Sequence, residues 1–239
     1  MIRADKTGFG TIEIFQDSND FCYGIDAVLL AHFLSTMKKQ PRKVADLGCG
    51  NGIVPLIVSH KLPDSQITGF ELKEGAASLA LKSVEHNGLT QRIEIINSDI
   101  NDIGEEYTGF FDAVTFNPPY VEKGAGILNA SESKMIARHE TTAGIYDFMK
   151  QAARIIKRNG RVCVVYRPRR LADLIDAGRK SGLEPVEMRM ICPHRGESPN
   201  IVLLALEKGK RSELKVLPEL IVRDEEGNYT EEIKNIYEI

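Results

Sequence analysis

The 239-residue sequence predicts an α/β domain built on a mainly parallel sheet, and three observations carry that expectation. Short apolar runs alternate with helical patterns between residues 43 and 166, the rhythm that crossover helices impose on parallel strands. Beyond residue 166 the rhythm breaks, and two strand patterns follow one another with no helix between them, which suits an antiparallel pair. Glycines stand at 48, 50 and 52, directly after the first apolar run, where a strand has to turn sharply into a helix.

The elements follow in order. An N-terminal appendage, residues 1–42, holds a strand at 11–15 and an amphipathic helix from Asp26, a good N-cap, through about Leu34. The core, residues 43–208, places strands at 43–46, 66–71, 92–97, 111–117 and 160–166. Helices at 52–60, 74–87 and 146–156 lie between them, the second closed by Asn87-Gly88. Asn159-Gly160 turns the chain into the fifth strand, and a helix at 171–181 ends at Gly182. Strands at 184–192 and 200–207 complete an antiparallel hairpin, giving seven strands with helices on both faces. A C-terminal extension, residues 209–239, carries a turn at 225–228 and a short helix after Thr230.

Composition narrows the function classes. With 42% hydrophobic and 27% charged residues the chain is that of an ordinary soluble protein. No apolar run approaches the roughly 20 residues of a membrane span, and residues 1–10 lack the apolar centre of a signal peptide. None of Cys22, Cys49, Cys163 and Cys192 forms a CxxC pair, so reduced structural thiols in a cytoplasmic protein are expected, with no metal site. A net charge of −3 exerts no overall pull on nucleic acid, so such a partner has to be held by local basic patches.

The glycine turn has its own chemistry. Its spacing is GxGxG, not the GxGxxG of a dinucleotide site, and Asp46 precedes it at the strand end. A carboxylate there repels a pyrophosphate and suits an ammonium group. S-adenosylmethionine carries that group with a sulfonium and no phosphate. Glu71 ends the second strand, where an acid accepts hydrogen bonds from ribose hydroxyls. Asp99 follows the third strand and suits an adenine amino group, with Ile100 packed on the ring.

Asn117-Pro118-Pro119-Tyr120 follows the apolar fourth strand. Two prolines fix the backbone and remove two donors. The Asn117 side-chain oxygen and the Pro118 carbonyl can then accept both hydrogens of one amino group, pulling a planar nitrogen toward tetrahedral geometry and localising its lone pair. Tyr120 can stack on the target ring.

On these residues the stretch from about 44 to 207 resembles class I S-adenosylmethionine-dependent methyltransferases, with their Rossmann-like seven-stranded sheet. The resemblance implies that Gly48, Gly50 and Gly52 line the methionine part of the cofactor, that Glu71 holds the ribose and that Asp99 holds the adenine. The tetrapeptide resembles the catalytic motif of amino-methyltransferases acting on adenine, guanine or glutamine amides. The segment 21–30 resembles the piece that folds over the cofactor's methionine end, with Tyr23 and Asp26 the residues carried over. Together with the C-terminal stretch 227–230, these features look most like the family that methylates the N6 amino group of an adenine in the anticodon loop of valine tRNA.

Basic residues gather on one rim. Arg167, Arg169 and Arg170 follow the fifth strand, His194 and Arg195 the sixth, and Arg138 and His139 sit in a long loop, 121–142, that reads as a lid. Parallel strands bring all of these to the catalytic end, where they suit phosphate contacts.

The competing readings fare worse. A protein-glutamine methyltransferase carries a helical domain ahead of its core, and about 40 residues precede the core here. A sequence-specific DNA enzyme needs a target-recognition domain, and a tandem-domain guanine methyltransferase of rRNA needs a longer chain, though a single-domain form stays open. A non-catalytic RNA-binding protein has no use for intact cofactor residues. A nicotinamide dehydrogenase gives the Asn-Pro-Pro-Tyr motif no job.

Overall fold

The computed structural model describes residues 2–17, 23–118, 143–209 and 213–239. Two strands, β1 (Ile2–Lys6) and β2 (Glu13–Asp17), pair antiparallel at the N-terminus. The main sheet follows with β3 (Lys43–Leu47), β4 (Gln66–Glu71), β5 (Ile93–Asn97) and β6 (Phe111–Phe116). It continues through β7 (Ile156–Tyr166), β8 (Leu183–His194), β9 (Ile201–Lys208), β10 (Lys215–Val216) and β11 (Leu220–Arg223). Their spatial order is β10-β8-β9-β7-β6-β3-β4-β5, with β11 also paired to β8. Strands β3 to β7 run parallel, and β9 inserts antiparallel between β7 and β8. The expected five parallel strands and terminal hairpin are present, on a Rossmann-like frame. Beyond expectation, the C-terminal extension adds β10 and β11 parallel to β8.

Described helices are α1 (Ile25–Ser35), α2 (Ile53–Lys61), α3 (Glu74–His86), α4 (Ile145–Ile155), α5 (Leu171–Lys180) and α6 (Glu231–Tyr237). Side chains alternate across a strand, so each strand feeds two cores. Val44, Ala113, Cys163 and Val165 pack under α1, α2 and α6. Ala45, Leu47, Val114, Phe116, Val162 and Val164 pack under α4 and α5. Helices therefore cover both faces.

Three local expectations are corrected. The helix α1 is not amphipathic: Ala27 to Ala31, Phe33 and Leu34 are all buried, because the helix lies between the sheet, α2 and α6. Asp26 is in its first turn, and Gly24 is the N-cap. The fifth parallel strand begins at Ile156, not at 160, because the chain passes straight from α4 into extended backbone. Asn159 (φ 63°) then lies at a register shift against β6 within that strand, where a turn leading into the strand was expected.

The N-terminal hairpin is moored by side chains that imitate a third strand. Asn87 donates from Nδ2 to the Glu13 carbonyl at 2.6 Å and accepts the Glu13 N–H on Oδ1 at 3.0 Å. Ser83 Oγ accepts the Phe15 N–H at 2.9 Å. Removing one such partner strands a backbone group away from water, at a cost of about 1–3 kcal/mol. Asn87→Ala is expected to cost about 2 kcal/mol in denaturant unfolding and to open residues 2–17 to proteolysis ahead of the core. An unchanged cleavage pattern would show that the hairpin holds by packing alone.

Candidate active site

The parallel register draws the expected site residues of four strands to one end of the sheet. Leu47 pairs with both Phe70 and Phe116, and Phe70 pairs with Ile96. The residues that come next, Gly48, Glu71, Asn97 and Asn117, are therefore neighbours along the carboxyl rim, where open α/β sheets bind ligands.

The glycine turn is wound on itself. Gly48 and Cys49 both donate to the Phe70 carbonyl, at 2.8 and 3.0 Å, and Gly52 donates to the Cys49 carbonyl at 2.9 Å. Gly50 donates to Glu71 Oε2 at 2.8 Å. Four backbone N–H groups are thus used within the protein, whereas a phosphate loop aims them at its ligand. Gly50 has φ +57°, and a Cβ built on it would meet nothing within 4 Å, so the turn faces open space there. Gly52 has φ +87° and caps α2; its missing Cβ would come to 3.0 Å from that of Ala80, so its lack of a side chain also admits α3.

Acid surrounds the turn. Asp46 is 3% exposed and accepts the Thr115 hydroxyl at 2.8 Å, the two lying side by side in the sheet. Burial pushes its carboxyl up to about 7, with the Glu71 charge adding to the rise and the Thr115 hydrogen bond opposing it. Glu71 is also buried, its Oε1 accepting the Lys73 N–H at 2.9 Å. Two buried acids beside a turn that spends four of its N–H groups internally favour a cation over a phosphate. This donor set fits the methionine end of S-adenosylmethionine. Asp99 accepts the Asn101 N–H at 2.9 Å and side-chain amide at 3.1 Å, capping a single turn that begins with buried Ile100.

At the neighbouring strand end Asn117 is half-buried and Pro118 buried. A sequence profile of the methyltransferase small domain matches residues 12–174, spanning the glycine turn, the acidic strand ends and this motif. The chain belongs to that family.

Relatives of this methyltransferase agree along nearly its full length. The tRNA1(Val) (adenine(37)-N6)-methyltransferase of Yersinia pseudotuberculosis is 30% identical over 95% of this chain and 89% of its own. The enzyme of the same name from Photorhabdus laumondii is 25% identical over 99% of this chain and 95% of its own. Among solved structures, a predicted O-methyltransferase from Agrobacterium tumefaciens superposes with a TM-score of 0.71 at 24% identity, covering 89% of this chain and 95% of that one. That likeness carries the fold, not the acceptor.

The methyltransferase's other expected residues are distributed as follows. Tyr23 is half-buried just ahead of α1, and burial raises its hydroxyl pKa, helped by Asp5. Asp26 Oδ2 lies 3.8 Å from the Arg167 guanidinium, which also donates to the Asn200 carbonyl at 3.1 Å. Arg170 pairs with Asp173 at 2.7 Å, Arg169 and Arg195 are exposed, and His194 ends β8 half-buried. Pro119, Tyr120, Arg138, His139 and the expected lid at 121–142 lie outside the described residues, as does Cys22. Burial raises the thiol pKa of Cys49 far above its usual range and that of Cys163 to about 12, so neither is a nucleophile.

Sequence reading passed over Gln16, Asn51 and Thr115, which turn out to border the site. Gln16 is 3% exposed at an inward position of β2, next but one to Ile14, and a polar residue in that phase was the signal available. A cavity of about 910 Å³ lies at the opposite end of the strands, beside Arg42, Arg158 and Arg161, away from these groups.

Proposed function

We propose that this methyltransferase transfers a methyl group from S-adenosylmethionine to the exocyclic N6 amino group of an adenine in a tRNA anticodon loop. The observation that carries the reading is Asn117-Pro118 at the end of β6, one strand from a turn whose acids and spent N–H groups suit a cation. The names of the relatives support adenine and tRNA as acceptor and polymer. S-adenosylmethionine, when bound, supplies an electrophilic methyl group on a sulfonium.

The protein's own residues do the rest. Asp46 and Glu71 set a negative potential at the methionine end. Glu71 has lone pairs left for ribose hydroxyls, and Asp99 for the adenine amino group beside Ile100. The Asn117 side-chain oxygen and the Pro118 carbonyl accept the two hydrogens of the target amine, holding it in line and localising its lone pair. Tyr120 supplies a stacking ring, as an extruded base requires. Arg167, Arg169, Arg170, His194 and Arg195, with Arg138 and His139, meet RNA phosphates.

Purified protein incubated with S-adenosylmethionine and unmodified tRNA, followed by nucleoside mass spectrometry, should yield N6-methyladenosine. Methylguanosine in its place, or transfer to a glutamine-containing peptide but not to RNA, would refute the adenine reading. The phosphate contacts carry a further expectation: Arg169→Ala and Arg195→Ala together should raise KM for tRNA several-fold and flatten its salt dependence, leaving cofactor affinity unchanged. An unaltered salt slope would remove these arginines from the RNA surface.

A further inference from the structure

We infer that Gln16 is a positioning residue that locks the N-terminal segment to the glycine turn and so shapes the cofactor pocket; this rests on the turn being that pocket. Gln16 stands where the alternation of β2 calls for an apolar side chain, yet both ends of its amide are hydrogen-bonded. Its Nε2 donates to Asp5 Oδ2 at 2.8 Å, on the paired strand. Its Oε1 accepts two hydrogens, from the Tyr23 N–H at 3.1 Å and from Asn51 Nδ2 at 3.2 Å.

Those two donors belong to different parts of the site. Asn51 sits between Gly50 and Gly52, and Tyr23 opens the segment that leads into α1 and Asp26. One oxygen therefore ties the mouth of the pocket to its floor. A buried amide fixes both distances only while all its bonds are made, because an unmet partner in low dielectric is costly. The backbone bonds of Gly48, Cys49, Gly50 and Gly52 hold the turn to the sheet, and Asn51 is the handle that ties it to the N-terminal segment.

The orientation is also chemically specific. The acceptor end faces two donors and the donor end faces a carboxylate, so glutamine fits and glutamate does not. Glutamate would still accept from Tyr23 and Asn51, but its second oxygen would confront Asp5. Changing Asp5 to asparagine restores a donor there, at the expense of the exposed Arg3 Nε–H, which donates to the same Asp5 oxygen at 2.8 Å.

The test is a swap. S-adenosylmethionine is titrated by calorimetry into wild type, Gln16→Ala, Gln16→Glu, Asn51→Ala and the combined Gln16→Glu with Asp5→Asn, and amide hydrogen exchange is followed without cofactor. The three single changes should weaken cofactor binding on the order of tenfold and speed exchange at Tyr23 and Gly50, with kcat at saturating cofactor within threefold. The combined variant should recover to within threefold of wild type. Wild-type affinity in folded Gln16→Glu, or equal loss in the single and combined variants, would overturn the inference while leaving the pocket assignment intact. Failure of wild type to bind would strike the pocket assignment itself.

Discussion

Replacing Asn117 with alanine is expected to lower methyl transfer about 10²–10³-fold or more, with cofactor affinity within a few-fold of wild type. An exocyclic amino group shares its lone pair with the ring, so it is planar and weakly nucleophilic. Two acceptors drawing on its two hydrogens oppose that sharing, and the benefit grows as the nitrogen gains positive charge. That interaction is stronger in the transition state than in the ground state, which is why kcat should fall, not cofactor affinity. Asn117→Asp keeps an acceptor at the position and should retain more activity than alanine. Single-turnover transfer with saturating cofactor, beside a cofactor titration, reads both quantities. Loss of cofactor binding in Asn117→Ala would mean that the residue holds the donor and not the acceptor.

The second large effect belongs to Asp46. Its carboxyl ionises at about 3.8 in the unfolded chain and about 7 in the folded protein. Between those values the folded state binds the extra proton, so stability without cofactor falls as pH rises through that window and levels off above 7. A cationic ligand prefers the ionised form, so its affinity should rise with pH toward 7, by at most tenfold per unit. Asp46→Asn should abolish both dependences, raise Tm at pH 8 and weaken cofactor binding on the order of a hundredfold. Calorimetric titrations at pH 5.5, 6.5 and 7.5 check the sign. Affinity that is flat across that range in wild type would place the charge elsewhere.

The same two residues show how much could be read from the letters. A strand end followed by Asp-Leu-Gly-Cys-Gly-Asn-Gly is local information: the alternation, the acid and the glycines all lie within one turn of chain. The five parallel strands were legible for the same reason, since period-2 burial on both faces leaves short apolar runs. Tertiary context was less legible. The run Ala27 to Leu34 is nearly continuous in apolar residues, but that the C-terminal α6 would cover its outer side depends on contacts some 200 residues away in sequence. Likewise β10 and β11 are strands because β8 offers an edge, and their own residues, Lys215-Val216 and Leu220 to Arg223, carry no clear alternation. Gln16 was overlooked because its partners, at 5, 23 and 51, converge only once the hairpin docks on α3.

The consumption of the turn's own amides bears on competition inside a cell. Adenine nucleotides with phosphate chains share the ribose and base proposed for Glu71 and Asp99, and by mass action an abundant look-alike occupies any site that tolerates it. Here a phosphate would find the Gly48, Cys49, Gly50 and Gly52 N–H groups already bonded and a buried acid behind them. In the proposed pocket, discrimination then comes from the sign of charge. On the proposed assignment, the unfavourable burial of Asp46 is the counterpart of keeping nucleotide phosphates out.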